Sequence, residues 1–321
     1  MSSAPPNGEK TMGKKIETAL PIEINSLSRR FRRKQALDKV TLDIPRGVVF
    51  GLVGENGAGK TTLIKHLLGL LRAESGTVRV FGLDPVKQPE AVLKRIGYLS
   101  ENRDLPNWMR VGELIHFTRA FFPDWDPAYA EELRNTFDLD PTAKLGTLSR
   151  GQRAQMGLLL ALAHRPDLLL LDEPSSGLDA VVRRDILSAV IRTVADEGRT
   201  VLFSSHLLDE VEYVADHVAF LHEGKLVSKG PLQDIKSQYR SFTLHFPTPC
   251  DKPPRFDGAL TWEGSGLEWT CLCEGGAEAG HRAAATLSAT IVEEAEPSLE
   301  EIFIARVTGK RNRRVLAGKE G

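Results

Sequence analysis

The sequence predicts an α/β domain followed by a smaller α+β domain. Between Ile22 and about Arg240, short apolar segments of strand length alternate with segments of helical periodicity, which is the pattern of α/β proteins. In the clearest repeat of this pattern, the apolar run Val48–Val53 and a glycine-rich turn precede the helical segment Lys60–Leu71. After Arg240 the composition changes, because prolines and Gly/Ala-rich segments become frequent.

Two helical segments and a third helix follow the first strand–turn–helix unit. Val111–Phe137 contains two helical patterns, and Asp126-Pro127 provides an N-cap and a first-turn proline for the second. Another helix begins at Ser149 and ends before Pro166, and its first residues, from Ser149 to Gln152, fit a capping box. These segments predict a helical subdomain over about residues 105–165.

The pattern then returns to strands. Leu168–Leu171 has the length and the bounding turns of a buried strand. Val181–Glu197 is predicted as a helix closed by Gly198, and Thr200–Phe203 as a further strand. A hairpin is predicted where two short apolar runs flank Glu223-Gly224, namely Val218–Leu221 and Lys225–Val227.

The organisation of the chain follows from these shifts. We predict a disordered leader over residues 1–20 and an α/β domain over residues 21–240. Residues 241–307 are predicted to form a small α+β accessory domain, with a strand at Leu267–Cys273 and a closing helix at Pro297–Val307. Residues 308–321 are predicted to be a basic tail.

Composition excludes several classes of protein. The 321 residues contain 42 Lys and Arg against 43 Asp and Glu, a net charge of −1, so no global field favours nucleic acid and we predict no nucleic-acid partner. The chain has three cysteines, Cys250, Cys271 and Cys273. A disulfide framework needs a larger and even number of cysteines, so none is predicted. No apolar run approaches the ~18 residues of a membrane span, which predicts that any action on a membrane needs another chain.

A phosphate-binding loop is the strongest single motif. Residues 54–61 match G-x-x-x-x-G-K-[ST], in which backbone N–H groups and a helix N-terminus surround phosphates. Lys60 is expected to contact the β- and γ-phosphates, and the Thr61 hydroxyl to hold Mg²⁺. The predicted nucleotide-binding residues here are Gly54, Glu55, Asn56, Gly57, Ala58, Gly59, Lys60, Thr61 and Thr62.

An acidic pair follows the four leucines at 168–171. Asp172 and Glu173 end a predicted buried strand, and ligands of open α/β sheets bind at the carboxyl ends of the strands. A strand that ends in Asp-Glu is, by itself, more often a solvated strand end. Downstream of a phosphate loop, we predict that Asp172 binds the metal through water and that Glu173 polarises the water that attacks the γ-phosphate.

Five motifs in one order resemble an ATP-binding cassette (ABC) ATPase. They are the phosphate loop, Leu148–Gln152, Leu171–Pro174, Ser175–Asp179 and His206. The resemblance covers about residues 22–240 and is strongest to stand-alone cassettes of bacterial exporters and multidrug or antibiotic-resistance pumps. It implies a P-loop NTPase fold with an inserted helical subdomain, and ATP and Mg²⁺ as cofactors.

The resemblance also implies a composite site. In this family the signature segment of one subunit closes over ATP held by another, so Ser149, Gly151 and Gln152 are expected to contact a γ-phosphate across a dimer interface. Taken alone, Ser149 and Gln152 are explained by the capping box. His206 corresponds to the switch histidine and Phe31 to the adenine-stacking aromatic, although an isolated histidine is usually incidental and Phe31 also suits a core or hairpin position.

Two residues depart from the family pattern. Arg150 stands where the signature usually has glycine, and Glu101 stands where glutamine is usual, in Tyr98-Leu99-Ser100-Glu101. Glu101 is expected to contact Mg²⁺ or water, while its added negative charge lies beside the phosphates. We interpret neither departure as loss of activity.

The function implied is ATP hydrolysis that drives a separate membrane permease, with export favoured over import. The chain is expected to act as a homodimer, or as a heterodimer with a second cassette, peripherally at the cytoplasmic face of the membrane. We expect the helical stretch 105–148, rich in aromatic residues, to contact the permease. A GTPase is disfavoured because no Asn-Lys-x-Asp motif occurs, whereas a cassette with a regulatory, non-transport role stays open.

Overall fold

A computed structural model describes residues 19–195, 198–254, 256 and 258–307. Nearly all of the predicted leader, residues 1–20, and all of the predicted basic tail, 308–321, lie outside these described residues. The chain divides into two compact units. The first comprises Met1–His206 with Leu221–Leu226, and the second comprises Leu207–Phe220 with Val227–Gly321.

The first unit contains seven strands and six α-helices among its described residues, apart from the hairpin that enters it at Leu221–Leu226. In chain order they are β1 (Ile22–Phe31), β2 (Lys34–Ile44), β3 (Val49–Val53), α1 (Lys60–Leu67), β4 (Ser75–Val80), α2 (Pro89–Leu93), β5 (Ile96–Leu99), α3 (Val111–Arg119), α4 (Pro127–Thr136), α5 (Arg150–Leu162), β6 (Leu168–Asp172), α6 (Ala180–Ala195) and β7 (Thr200–Ser205).

Two sheets organise this unit. Strands β2, β1 and β4 form an antiparallel sheet in that order. Strands β5, β6, β7 and β3 are neighbours in a parallel sheet, with Leu168 paired to Thr200 and Val49 paired to Val201. Every residue of β3, β6 and β7 is buried, as expected for parallel strands covered on both faces. Because these strands are parallel, the loops that follow them meet at one edge.

Most of the predicted elements are present, with shifts at their ends. The helix predicted over Lys60–Leu71 ends at Leu67 instead. The prediction was wrong there because Gly69 adopts a left-handed φ of 72°, which interrupts the helix although the apolar pattern continues. The strand predicted over Thr200–Phe203 extends to Ser205, so Ser204 and Ser205 belong to β7.

The second unit is an α+β structure. The hairpin β8 (His217–His222) and β9 (Lys225–Pro231) is divided between the units. The remaining elements of the second unit are α7 (Leu208–Val214), α8 (Leu232–Ser237), β10 (Tyr239–Cys250), β11 (Ala259–Glu274), α9 (Gly276–Leu287), β12 (Thr290–Ala295) and a helix over 299–307.

Strands β11, β10 and β12 form an antiparallel sheet in that order. Its core contains Phe242, Leu244, Trp269 and Cys271. The strand predicted at Leu267–Cys273 begins earlier, at Ala259, and the predicted accessory domain over 241–307 lies within this unit. Among the described residues, no helix combines the length and apolar character needed to cross a membrane.

Candidate nucleotide site

The phosphate loop connects the buried strand β3 to helix α1. Gly57 and Gly59 have φ angles of 82° and 115°, a region that favours glycine. A Cβ on Gly59 would lie 2.5 Å from the carbonyl oxygen of Ala36, so this position excludes a side chain. No side chain caps α1, and its first N–H groups are therefore available to a ligand at the positive end of the helix dipole.

Lys60 and Glu173 form a buried ion pair above this loop. The Lys60 Nζ atom lies 2.9 Å from Glu173 Oε1, and both side chains are 5% exposed. Lys60 also donates to the carbonyl oxygens of Gly54 and Glu55. The other carboxylate oxygen of Glu173, Oε2, lies 2.7 Å from His206 Nδ1. The structure thus brings together all three predicted catalytic residues in one chain of contacts.

The buried Asp172 makes a second set of contacts, with the buried Ser204 and the half-buried Thr61. Its Oδ1 atom accepts hydrogen bonds from the hydroxyls of Ser204, at 2.7 Å, and Thr61, at 3.2 Å. Burial raises the pKa of Asp172, since the loss of hydration outweighs the two hydroxyl donors. Burial also raises the pKa of the nearby Tyr98 to about 12, with the negative charges of Asp172 and Glu101 adding to the effect.

A cavity of about 360 Å³ opens beside these groups. Phe31 and Glu101, predicted for adenine stacking and for metal binding, both line it. Phe31 is partly exposed, and the Arg29 guanidinium lies 4.8 Å from its ring centroid. The other lining residues are Lys34, Ala36, Asn56, Gly57, Gly59, Lys60, Thr61, Thr62 and Glu173.

The signature residues lie elsewhere in this unit. Ser149, Gly151 and Gln152 do not line the cavity. Gln152 N donates to Ser149 Oγ at 3.1 Å, and Ser149 N donates to Gln152 Oε1 at 3.0 Å, which is the predicted capping box. The Arg150 guanidinium lies over the turn after Glu173. It is so close to Gly177 that a Cβ added there would lie 2.5 Å from it.

Three residues at or beside this site were not predicted. Ser204 connects the acidic pair, since its hydroxyl donates to Asp172 and accepts from the Glu173 N–H at 3.1 Å. Its position beside His206 in Ser204-Ser205-His206 was the available signal. Lys34, three residues after Phe31, lines the cavity. Arg103 lies beneath the turn after Glu173, and no local pattern indicates that contact.

The fold and the glycine-rich loop define a P-loop NTPase, and comparisons with known proteins specify the family. The family model described as ABC transporter matches residues 37–176. The ABC transporter ATP-binding protein YtrB of Bacillus subtilis (strain 168) is 32% identical over 290 residues, which cover 90% of this chain and 99% of YtrB.

Two further proteins show how far the likeness extends. The daunorubicin/doxorubicin resistance ATP-binding protein DrrA of Streptomyces peucetius is 34% identical over 228 residues, which cover 70% of this chain and 69% of DrrA. A dimeric ATP-binding cassette, solved in a post-hydrolysis state with ADP and Pi, superposes with a TM-score of 0.60. It is 20% identical and covers 66% of this chain and 98% of its own, a likeness of fold.

The chain belongs to the family of ABC transporter ATP-binding proteins, the subunits that bind and hydrolyse ATP for a transporter. The sequence-based predictions of a P-loop NTPase fold, of ATP binding and of ATPase activity are thereby confirmed. The roles of the individual site residues remain predictions.

Proposed function

We propose that this chain hydrolyses ATP with Glu173 as the general base and thereby drives a separately encoded export permease. The observation that supports the base is the position of its carboxylate, 2.9 Å from Lys60 Nζ and 2.7 Å from His206 Nδ1, at the nucleotide cavity. A γ-phosphate competes with Glu173 for Lys60, because both are anions. Once Lys60 contacts the phosphate, Glu173 is released to accept a proton from the attacking water while His206 orients that carboxylate.

We further propose that Mg²⁺ accompanies ATP. The Thr61 hydroxyl and the Asp172 carboxylate lie 3.2 Å apart at the loop, and Mg²⁺ binds through one or two protein oxygens together with phosphates and water. Within the described part of the chain, no group of three or more His, Cys, Asp or Glu side chains is arranged so that it could hold a metal ion. Glu101, on the cavity wall, supplies a further oxygen. The ion neutralises phosphate charge.

The composite site requires two copies. The proposed contacts of Ser149, Gly151 and Gln152 with ATP come from a second chain, since these residues do not line the cavity of their own chain. A cassette of the same fold is dimeric with ADP and Pi bound, which supports the proposed dimer. A heterodimer with a second cassette satisfies the same geometry.

The proposed permease contact includes three exposed aromatic side chains, Trp108, Phe117 and Phe121, here called the aromatic surface. Trp108 is 77% exposed, and the rings of Phe117 and Phe121 lie 5.1 Å apart in an edge-to-face arrangement. Two other aromatics of the stretch 105–148 are internal, because Trp125 is buried and Phe122 stacks on His164 at 3.9 Å. Exposed aromatic side chains are favoured anchors at protein interfaces. Binding to the proposed permease would hold the chain at the cytoplasmic face of the membrane. The similarity to DrrA, a drug-resistance ATP-binding protein, favours export.

Replacing Glu173 by Gln tests the proposed base. Glutamine preserves the size of the side chain but cannot accept the proton, so turnover should fall by about 10²–10⁴-fold while ATP binding persists. Steady-state phosphate release and fluorescent-nucleotide titration measure the two quantities. Glu131→Gln, an exposed glutamate of α4, is the matched control and should keep full activity. Turnover of Glu173→Gln within threefold of the parent would exclude the base assignment.

Replacing the aromatic surface tests the permease contact. The triple variant Trp108→Ala, Phe117→Ala, Phe121→Ala should lose co-purification with the membrane subunit and keep its basal ATPase rate, since the nucleotide cavity is not altered. Tyr213→Ala, which truncates an equally exposed aromatic of the second unit, is the control. If the parent chain itself retains no membrane subunit, the regulatory cassette becomes the better function.

A further inference from the structure

A buried arginine lies directly beneath the turn Glu173–Ser176, which begins with the proposed base and is here called the catalytic turn. Arg103 is only 5% exposed and follows strand β5 and Glu101 in the chain. Its Nη2 atom donates to the carbonyl oxygens of Pro174 at 2.8 Å and Ser176 at 3.0 Å, with a longer contact of 3.4 Å to Glu173. One guanidinium therefore contacts three backbone positions of the turn that follows the proposed base.

This arrangement is costly for stability. The Arg103 Nε atom is buried with no hydrogen-bond partner in the described part of the chain, and the backbone φ of Arg103 is 51°, in the left-handed region. Strained backbone and incompletely paired buried charges concentrate at functional sites, so these costs indicate a role at the adjacent catalytic turn.

The catalytic turn is held from two sides. Glu173 also has a left-handed φ, of 49°, and its N–H donates to the carbonyl oxygen of Ser204 at 3.2 Å and to the Ser204 hydroxyl at 3.1 Å. Strand β7 thus fixes the amide of Glu173, while Arg103 fixes the carbonyls that follow it. Because the direction of a side chain depends on its backbone, these contacts together aim the carboxylate towards Lys60 and His206.

We propose that Arg103, on the loop that follows Glu101, is a positioning residue for Glu173. The proposal rests on the proposed role of Glu173. Glu101 and Glu173 both line the nucleotide cavity, and Arg103, two residues after Glu101, is hydrogen-bonded to the turn of Glu173.

Arg103→Met tests the positioning role, and a control variant that loses an equal number of hydrogen bonds elsewhere is compared with it. Methionine keeps the length and apolar contacts of the side chain but removes its donors. We expect kcat to fall at least about tenfold while the Kd for ATP changes less than about threefold, because the variant misplaces the base and leaves the phosphate loop intact. The control is Arg153→Met, since the Arg153 guanidinium also makes three hydrogen bonds, to Asn107, Leu145 and Leu105, none of them to the catalytic turn.

Two further variants separate positioning from simple destabilisation. Arg103→Lys retains a charged donor and should recover part of the lost kcat. In a Glu173→Gln background, Arg103→Met should add less than about twofold in single-turnover hydrolysis, since the group that it positions is already absent. Normal turnover of Glu173→Gln itself would instead refute the base, independently of Arg103.

The proposal is overturned if Arg103→Met lowers kcat no more than Arg153→Met does at equal loss of thermal stability. It is equally overturned if its effects multiply fully with those of Glu173→Gln. If Arg103→Met does not fold, Arg103→Lys alone decides, by whether kcat falls while the Kd for ATP is unchanged.

Discussion

Helices α1 and α5 of the first unit both have the positive end of the helix dipole at their N-terminus, but only α5 has a side-chain cap there. Helix α1 starts after Gly59, whose left-handed backbone leaves the N-terminus without any side-chain cap. Helix α5 starts after Ser149. The Ser149 hydroxyl accepts a hydrogen bond from the Gln152 N–H, and the Gln152 side chain accepts one from the Ser149 N–H. One N-terminus is open, and the other is closed by its own residues.

The difference separates a permanent anion site from a conditional one. Bare N–H groups at a helix start bind phosphate at no cost in lost hydrogen bonds, and in α1 they lie beside the ammonium of Lys60. At α5 a phosphate has to compete with a cap worth ~1 kcal/mol. We therefore expect α1 to bind ATP in a single chain, and α5 to contribute only when a second chain brings it to a bound γ-phosphate.

Lys60→Ala should have the largest effect on the open N-terminus. The substitution removes the charge beside the phosphates, so we expect turnover to fall by about 10²–10³-fold and ATP affinity to fall with it. This joint loss contrasts with Glu173→Gln, which spares binding. Lys65→Ala, on the same helix but outside the site, is the control. Undiminished ATP affinity in Lys60→Ala would mean that the open helix start binds phosphate without its lysine.

Ser149→Arg should have the next largest effect, on the closed N-terminus. Besides removing the cap within its own chain, it disturbs the proposed contact between chains. In the Glu173→Gln background with ATP, size-exclusion chromatography should show a dimer, because bound ATP favours the closed state by its differential affinity. Adding Ser149→Arg places a bulky side chain at the γ-phosphate contact and should return the protein to monomer. A dimer that persists in the double variant would place the interface away from Ser149.

The contrast also shows what sequence can predict. The phosphate loop and the capping box are local patterns, because the residues that interact lie within a few positions of each other, and both could be predicted. Ser204 and Arg103 act on Glu173 from 31 and 70 residues away, across strand pairing and loop packing that no spacing reveals. The early end of α1 depends on Gly69, which the continuing apolar pattern concealed.

Ser149→Ala should have the smallest effect, and it tests the cap itself in the nucleotide-free protein. Alanine cannot accept the Gln152 N–H, so the free energy of unfolding should fall by ~1 kcal/mol. For a unit of this size that corresponds to a decrease in Tm of roughly 2–4 °C. Thermal unfolding without nucleotide measures it.

Ser149→Gly is the discriminating partner of this variant. Glycine also lacks the hydroxyl, but its backbone suits the N-cap and leaves the helix start accessible to water, so it should cost only a few tenths of a kcal/mol. The order expected for Tm is therefore parent, Ser149→Gly, Ser149→Ala. If all three unfold at the same temperature, the cap contributes nothing to the nucleotide-free state. The two helix starts would then be equally open to phosphate, and the need for a second chain would rest on geometry alone.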